Sequence, residues 1–224
     1  YRYGFFPAVA VGWMLTNEEW MAPITDTLSK FKIRGSWGLV GNDQIVQNRR
    51  FAYISTISSV TGYNFGYTNN ISYGGYREGD FGIGDMTWET SEKMDIGIEI
   101  GFWDSIDLQI DLFKEHRSNI FMQRKIIPEI SGYNQMPYAN FGKVDNKGME
   151  AELIVNHRFN KDFIVSMRGN FTYAKNKIIE YDEPESIKGT SRARTGHSIN
   201  QHYGLIAEGL FTEDDFVDAS KGIL

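Results

Sequence analysis

The stretch KMDIGIEIGFWDSIDLQIDLF, residues 93–113, alternates apolar and polar side chains almost without a break. Met94, Ile96, Ile98, Ile100 and Phe102 fall on one face, and Lys93, Asp95, Gly97, Glu99 and Gly101 on the other. After Trp103, Asp104 and Ser105 the pattern resumes, with Ile106, Leu108, Ile110 and Leu112 against Asp107, Gln109 and Asp111. A period of two is the mark of a strand with one apolar face. Two such runs joined by so short a turn predict a long antiparallel hairpin. Its register is firmly set, because a slip of one residue exchanges the faces.

The same theme recurs along the chain. Strands are predicted over 5–14, 31–39, 93–103, 105–115, 147–157, 163–174 and 199–209, and the best helical candidate is only a short piece around 17–21. The connections 103–105 and 158–162 are tight, and 15–30 is a medium link on the same side. The connections 40–92, 116–146 and 175–198 are long, polar and rich in Gly, Asn, Ser and Tyr. Short and long therefore alternate, which in an up-and-down sheet puts all long loops at one end. Structureless loops beyond about 15 residues are rare in compact soluble domains. They are ordinary in a transmembrane barrel, which pairs short periplasmic turns with long outer loops. Strands of about ten residues also match a tilted bilayer crossing.

Aromatic residues make up 14% of the chain. Trp13, Phe31, Phe102, Trp103 and Phe163 fall at the tight-turn ends of the strands, and Phe5, Phe6, Phe171 and Tyr173 at the opposite ends. Two aromatic rings around an aliphatic band are the girdles of an outer-membrane barrel. The expected fold class is thus all-β: an antiparallel up-and-down transmembrane β-barrel, of which 1–224 is one part, with long extracellular loops and short periplasmic turns. Every backbone polar group in a bilayer must be paired, so these strands belong to a closed barrel. The strands predicted here are too few to close one. The chain also opens on YRYGFF without an initiator Met, so the rest of the barrel is expected to lie outside it. Two other readings stay open from pattern alone: a soluble all-β module with its apolar face inward, and an outer-membrane adhesin or structural barrel.

Composition excludes several classes. The net charge is -6 and no Lys/Arg cluster stands out, which argues against a nucleic-acid partner. There is no cysteine, so disulfides and thiolate zinc sites are out. No stretch has the roughly 20 apolar residues of a membrane helix. No nucleophile and base stand in a credible arrangement, so no enzyme is expected, and no cofactor or metal site stands out.

Several blocks resemble the SusC/RagA family of TonB-dependent outer-membrane transporters. YRYGFFPAVAVGWMLTNEEW is similar to that family's RYGFFPS-x-x-x-GW strand, and FKIRGSWGLVGND to its LKLR-x-SYG-x-x-GN segment. TWETSEKMDIGIEIGFWDSIDLQIDLFKEHRSNIF resembles its WE-x-T-x-x-x-x-GL-x-x-GF hairpin and following strand, and NFGKVDNKGMEAEL its N-x-G-x-x-x-NKG-x-E strand. NFTYAKNKI and GHSINQHYGLIAEGLF complete the series, in order, from Tyr1 to about Phe211. Phe113 stands where the family has Tyr and Ala174 where it has Asn, HRSNIF lacks the usual Thr, and 212–224 match poorly. The resemblance implies a plugged barrel in the outer membrane of a Gram-negative bacterium, energised by TonB, with its plug domain and closing strand expected outside this chain. It implies import of nutrients such as oligosaccharides or peptides, with a SusD-like lipoprotein as lid.

Candidate contact residues are Tyr63, Phe65, Tyr67, Tyr73 and Tyr76, in the loop rich in Tyr between 53 and 76. Tyrosine offers an apolar face and a polar tip, which suits sugar stacking or a partner surface, though such rings also hold a loop's own hairpin together. Gly82 and Gly84 neither follow a strand nor open a helix, so they make a poor phosphate loop. His197 and His202 read as solvated. Asp182, Glu183 and Glu185, and separately Glu213, Asp214 and Asp215, read as hydrated loop faces, with calcium a minor option. A turn at 158–162 sets His157 opposite Phe163. Val155 then meets Val165, Leu153 meets Met167 and Ala151 meets Gly169. Glu152 falls opposite Arg168, and a bulge, if any, is expected at Gly169.

Overall fold

The computed structural model describes residues 3–43, 51–133, 135–207, 209, 212 and 215. Six strands form one antiparallel meander. They are β1 (Ala8–Met14), β2 (Leu28–Asn42), β5 (Glu89–Phe102), β6 (Ile106–Gln123), β7 (Tyr138–Arg158) and β8 (Ile164–Glu180), in the order β1-β2-β5-β6-β7-β8. A separate hairpin, β3 (Ile57–Phe65) with β4 (Ile71–Glu78), stands inside the long β2–β5 connection. Two short 3₁₀ helices, Leu15–Asn17 and Glu19–Ile24, link β1 to β2 around the expected helical piece. There Trp13 Nε1 donates to Glu18 Oε1 at 2.8 Å.

The strands are longer than their hydrophobic pattern. β7 runs 21 residues and β6 runs 18. Much of the predicted loop 116–146 is therefore ladder, and only 124–137 connects. The physical reason is that main-chain hydrogen bonds continue where apolar alternation stops. Beyond the apolar band both faces are polar, and period two leaves no trace in the sequence.

The β5–β6 turn is as tight as expected. Trp103 and Asp104 both have positive φ, 50° and 51°, and Ser105 N donates to Phe102 O at 3.0 Å. This is the primed turn whose twist matches the flanking strands. The β7–β8 turn differs from expectation. Phe159 N and Asn160 N both donate to Phe163 O, at 3.1 and 3.4 Å, so the loop spans 159–163. His157 pairs with Val165, Val155 with Met167, Leu153 with Gly169 and Ala151 with Phe171. Partners have moved by two, which preserves every face. Glu152 lies opposite Asn170, and Arg168 opposite Ile154. Glu152 and Arg168 still share a face and form an ion pair, but across the diagonal. Gly169 carries no bulge: the only shift in this ladder is between Lys143 and Val144. The turn alone reset the register.

The described residues of 199–209 form no strand, against expectation. One ladder exchange occurs, with Ile178 N donating to His197 O at 2.8 Å and Gly196 N to Ile178 O at 2.7 Å. Ile199 N then turns to the side-chain Oδ1 of Asn176, 2.8 Å away. A side chain thus takes the donor that a growing ladder needs, and the chain leaves β8.

Reading across the sheet, register builds complete rows. On one face the rows are Trp13–Ile33–Ile98–Ile110–Ala151–Phe171 and Val11–Gly35–Ile96–Leu112–Met149–Tyr173. This apolar face has no cover: Ile96 is 59% exposed, Leu112 52% and Phe171 56%. The few buried apolar residues lie at the two ends of the strands, Phe121, Val144 and Ile178 at the long-loop end and Leu15 and Met21 in the β1–β2 link, not under the apolar band.

Candidate functional site

The polar face holds a charged ladder built by alternation. Lys30, Lys32 and Arg34 stand at every second position of β2, between the apolar Phe31 and Ile33. Glu99 of β5 accepts from Lys30 Nζ at 2.6 Å and Lys32 Nζ at 3.1 Å, and lies 3.4 Å from Arg34 Nε. Arg34 also contacts Asp95 at 3.2 Å and Asp111 Oδ1 at 2.5 Å. Gln109 Nε2 donates to Asp111 Oδ2 at 2.8 Å. Arg34, Gly97 and Asp111 lie in one row, so Arg34 must pass over β5 to reach β6. A Cβ at position 97 would sit 2.4 Å from Asp111 Oδ1 and 2.7 Å from Arg34 Nε. A side chain there would push these flexible ends aside, so glycine keeps the path between them open. These residues line a polar, cross-braced surface, not a nucleophile-and-base pair. The spacing of Lys30, Lys32 and Arg34 in an apolar alternation was a signal that could have singled them out in the sequence.

At the long-loop end two carboxylates hold the loops. Asp182 is 2% exposed. It accepts from Arg124 Nε at 2.9 Å and from the main-chain N–H of Lys125 at 2.5 Å and Ile126 at 3.2 Å. Burial alone would raise its pKa, but these donors override it and hold the carboxyl below its usual range. Glu183, also buried, accepts from Arg194 N at 2.9 Å and Thr195 N at 3.1 Å. The same balance of burial against hydrogen bonds leaves its pKa lowered. The expectation of hydrated loop faces fails at both residues. A carboxylate that satisfies main-chain donors of a neighbouring loop is pulled inward with them. Glu185 does remain at the surface, paired with Lys188. Asp215 accepts from Thr212 N at 2.7 Å, and Glu213 and Asp214 lie outside the described residues.

The tyrosine-rich loop becomes β3–β4. Tyr63 pairs with Tyr73, and Phe65 meets both edge-on, at 5.3 and 5.8 Å between ring centroids. Tyr67 sits in the turn, fully exposed, and Tyr76 pairs with Ser59 further down. The structure therefore brings three of the five candidates together and leaves Tyr67 and Tyr76 apart. Phe81 stacks edge-on against Tyr133 at 4.6 Å, joining this loop to the β6–β7 connection. Gly82 and Gly84 lead into β5, not a helix. His197 Nδ1 lies 3.1 Å from Gln201 Oε1, and His202 is exposed.

The family described as TonB dependent receptor-like, beta-barrel, matches residues 1–204. The chain belongs to that family. Among curated relatives, TonB-dependent receptor P3 of Formosa agariphila is 26% identical over 98% of this chain and 22% of its own length. SusC of Bacteroides thetaiotaomicron is 28% identical over 79% of this chain and 17% of its own. The chain spans about a fifth of the length of such relatives. The RagAB peptide transporter structure superposes on 78% of this chain, at a TM-score of 0.63 and 22% identity, a likeness of fold. The resemblance to the SusC/RagA type is thus borne out. The open meander is a partial wall of a TonB-dependent-receptor barrel, as the alternation predicts.

Proposed function

We propose that this chain is a barrel segment of an outer-membrane, TonB-dependent nutrient transporter of the SusC/RagA type in a Gram-negative bacterium. The observation that carries the reading is the division of the sheet into an uncovered apolar face and a cross-braced charged face. In a bilayer the first meets lipid and the second a hydrated or plugged lumen. The family match supports this reading over the soluble alternative, in which the apolar face would turn inward. The whole transporter imports oligosaccharides or peptides, works with TonB and a SusD-like lipoprotein, and performs no catalysis. The likeness to the TonB-dependent receptor SusC and the shared fold with the RagAB peptide transporter are in keeping with this choice. The β3–β4 hairpin, with Tyr63, Phe65, Tyr67, Tyr73 and Tyr76, is the part of this segment that would contact substrate or the lid. Uptake of labelled oligosaccharide and peptide pools by cells carrying the full-length parent, with and without TonB, tests the reading. TonB-dependent uptake of either class supports it. A parent that sits in the outer membrane but drives no uptake points to an adhesin.

A further inference from the structure

One edge of the apolar face does not end in mixed polar residues. On β6, β7 and β8 the next row beyond Leu112–Met149–Tyr173 is Lys114–Lys147–Lys175, three lysines in direct lateral register. Lys177 stands one position beyond, in the row Glu92–His116–Asp145–Lys177. Like charges directly opposite each other on one face are unfavourable. Among the described residues no carboxylate forms an ion pair with any of these four lysines. Asp145, the nearest acid in the row above, is occupied by His116 Nδ1 at 2.5 Å, and Glu92 by Trp37 Nε1 at 2.8 Å. The lysines instead rim a groove of about 850 Å³, floored in part by Met149 and Tyr173, with Asp145 the one acid in its lining.

The groove is therefore apolar on the side of the lipid band and cationic on the side of the long loops. Resting on the membrane reading above, we propose that it is a binding site for a phosphate-bearing glycolipid of the outer leaflet. The acyl chains would lie along Leu112, Met149 and Tyr173. The ammonium groups of Lys114, Lys147, Lys175 and Lys177 would hold the phosphates, as basic pockets at a membrane boundary hold anionic head groups. Lysine suits the position, because its aliphatic stem lies on apolar surface while its charge reaches the head-group layer.

The test uses the full-length parent, extracted in detergent from membranes. Native mass spectrometry measures binding of diphosphorylated lipid A, the same lipid without phosphates, and inorganic pyrophosphate. The phosphorylated lipid is expected to bind at least tenfold tighter than the dephosphorylated one. The triple variant Lys114→Gln, Lys147→Gln, Lys175→Gln should lose that preference, while Lys93→Gln, on the opposite face, should keep it. Equal binding of the two lipids, or an unchanged preference in the triple variant, overturns the site even if that variant is poorly folded, since the first comparison needs no variant. Full displacement of lipid by pyrophosphate overturns the lipid as ligand. A parent recovered in the soluble fraction overturns the membrane reading and the site together; a membrane-bound parent without the preference overturns the site alone.

Discussion

Arg34 Nη2 stands 2.5 Å from Asp111 Oδ1, although β5 lies between their strands. The contact exists because Gly97 has no side chain to block it. It converts three neighbouring strands into one braced unit on the polar face.

Gly97→Ala in the full-length parent should therefore uncouple Arg34 from Asp111. The groups are partly exposed, so the expected loss is modest, about 1 kcal/mol. A double-mutant cycle with Arg34→Gln checks the cause. Because both changes remove the same contact, their costs should not add. Additive costs would mean that Gly97 matters for another reason.

Ile98→Arg should be far less tolerated than Gln109→Arg. Ile98 lies in the apolar row that runs from Trp13 to Phe171, opposite Ile33 and Ile110, whereas Gln109 faces Glu99 and Glu152 on the polar side. A charge on the lipid side near the bilayer midplane costs roughly 2–4 kcal/mol. Unfolding of the parent from bilayers measures the difference. Equal tolerance would contradict the assignment of faces.

The β7–β8 register has a direct chemical check. Directly opposed Cβ atoms are about 4.5–5.5 Å apart and diagonal ones about 7–8 Å, while a disulfide needs about 3.5–4.5 Å. The pair Glu152→Cys with Asn170→Cys should oxidise readily. The pair Glu152→Cys with Arg168→Cys should oxidise slowly, although the native side chains touch. The reverse order would restore the register expected from a turn at 158–162.

The Asp182 clamp should depend on pH with a defined sign. Its folded pKa lies below the ordinary aspartate value of about 3.9. The stabilisation is complete above that value and is lost as pH falls through the folded pKa. Protection factors for the Lys125 and Ile126 amides should hold from neutrality down to the ordinary aspartate range and fall below it. Asp182→Asn should lower them at neutral pH and flatten the profile. A profile unchanged by that substitution would separate loop order from this carboxylate.

In the β3–β4 hairpin, Tyr63→Ala or Tyr73→Ala should loosen the hairpin, because each ring packs on Phe65. Tyr67→Ala should leave the hairpin intact and, if the loop meets substrate, weaken uptake at low substrate concentration. Uptake kinetics beside protease sensitivity of the loop distinguish the two roles.

The sequence by itself determined the six strands of the meander, their faces and the family, because a strand between two solvents must alternate and so writes its burial into the primary structure. The expected strand at 199–209 and the hairpin β3–β4, which the alternation did not mark, show where that signal failed. The turn Trp103–Asp104–Ser105 and the pairing of Ile98 with Ile110 were legible for that reason. What alternation does not encode, only the tertiary structure decided. The β7–β8 register moved by two because Phe163 O accepted two donors in the turn, a change that leaves every face intact and so is invisible to a period of two. The burial of Asp182 and the brace from Arg34 over Gly97 depend on partners 58 and 77 residues away in the chain, and the extension of β6 and β7 beyond the apolar band depends on ladder pairs such as Gln123 with Tyr138. Lys114, Lys147 and Lys175 are separated widely in sequence, and only strand pairing sets them side by side.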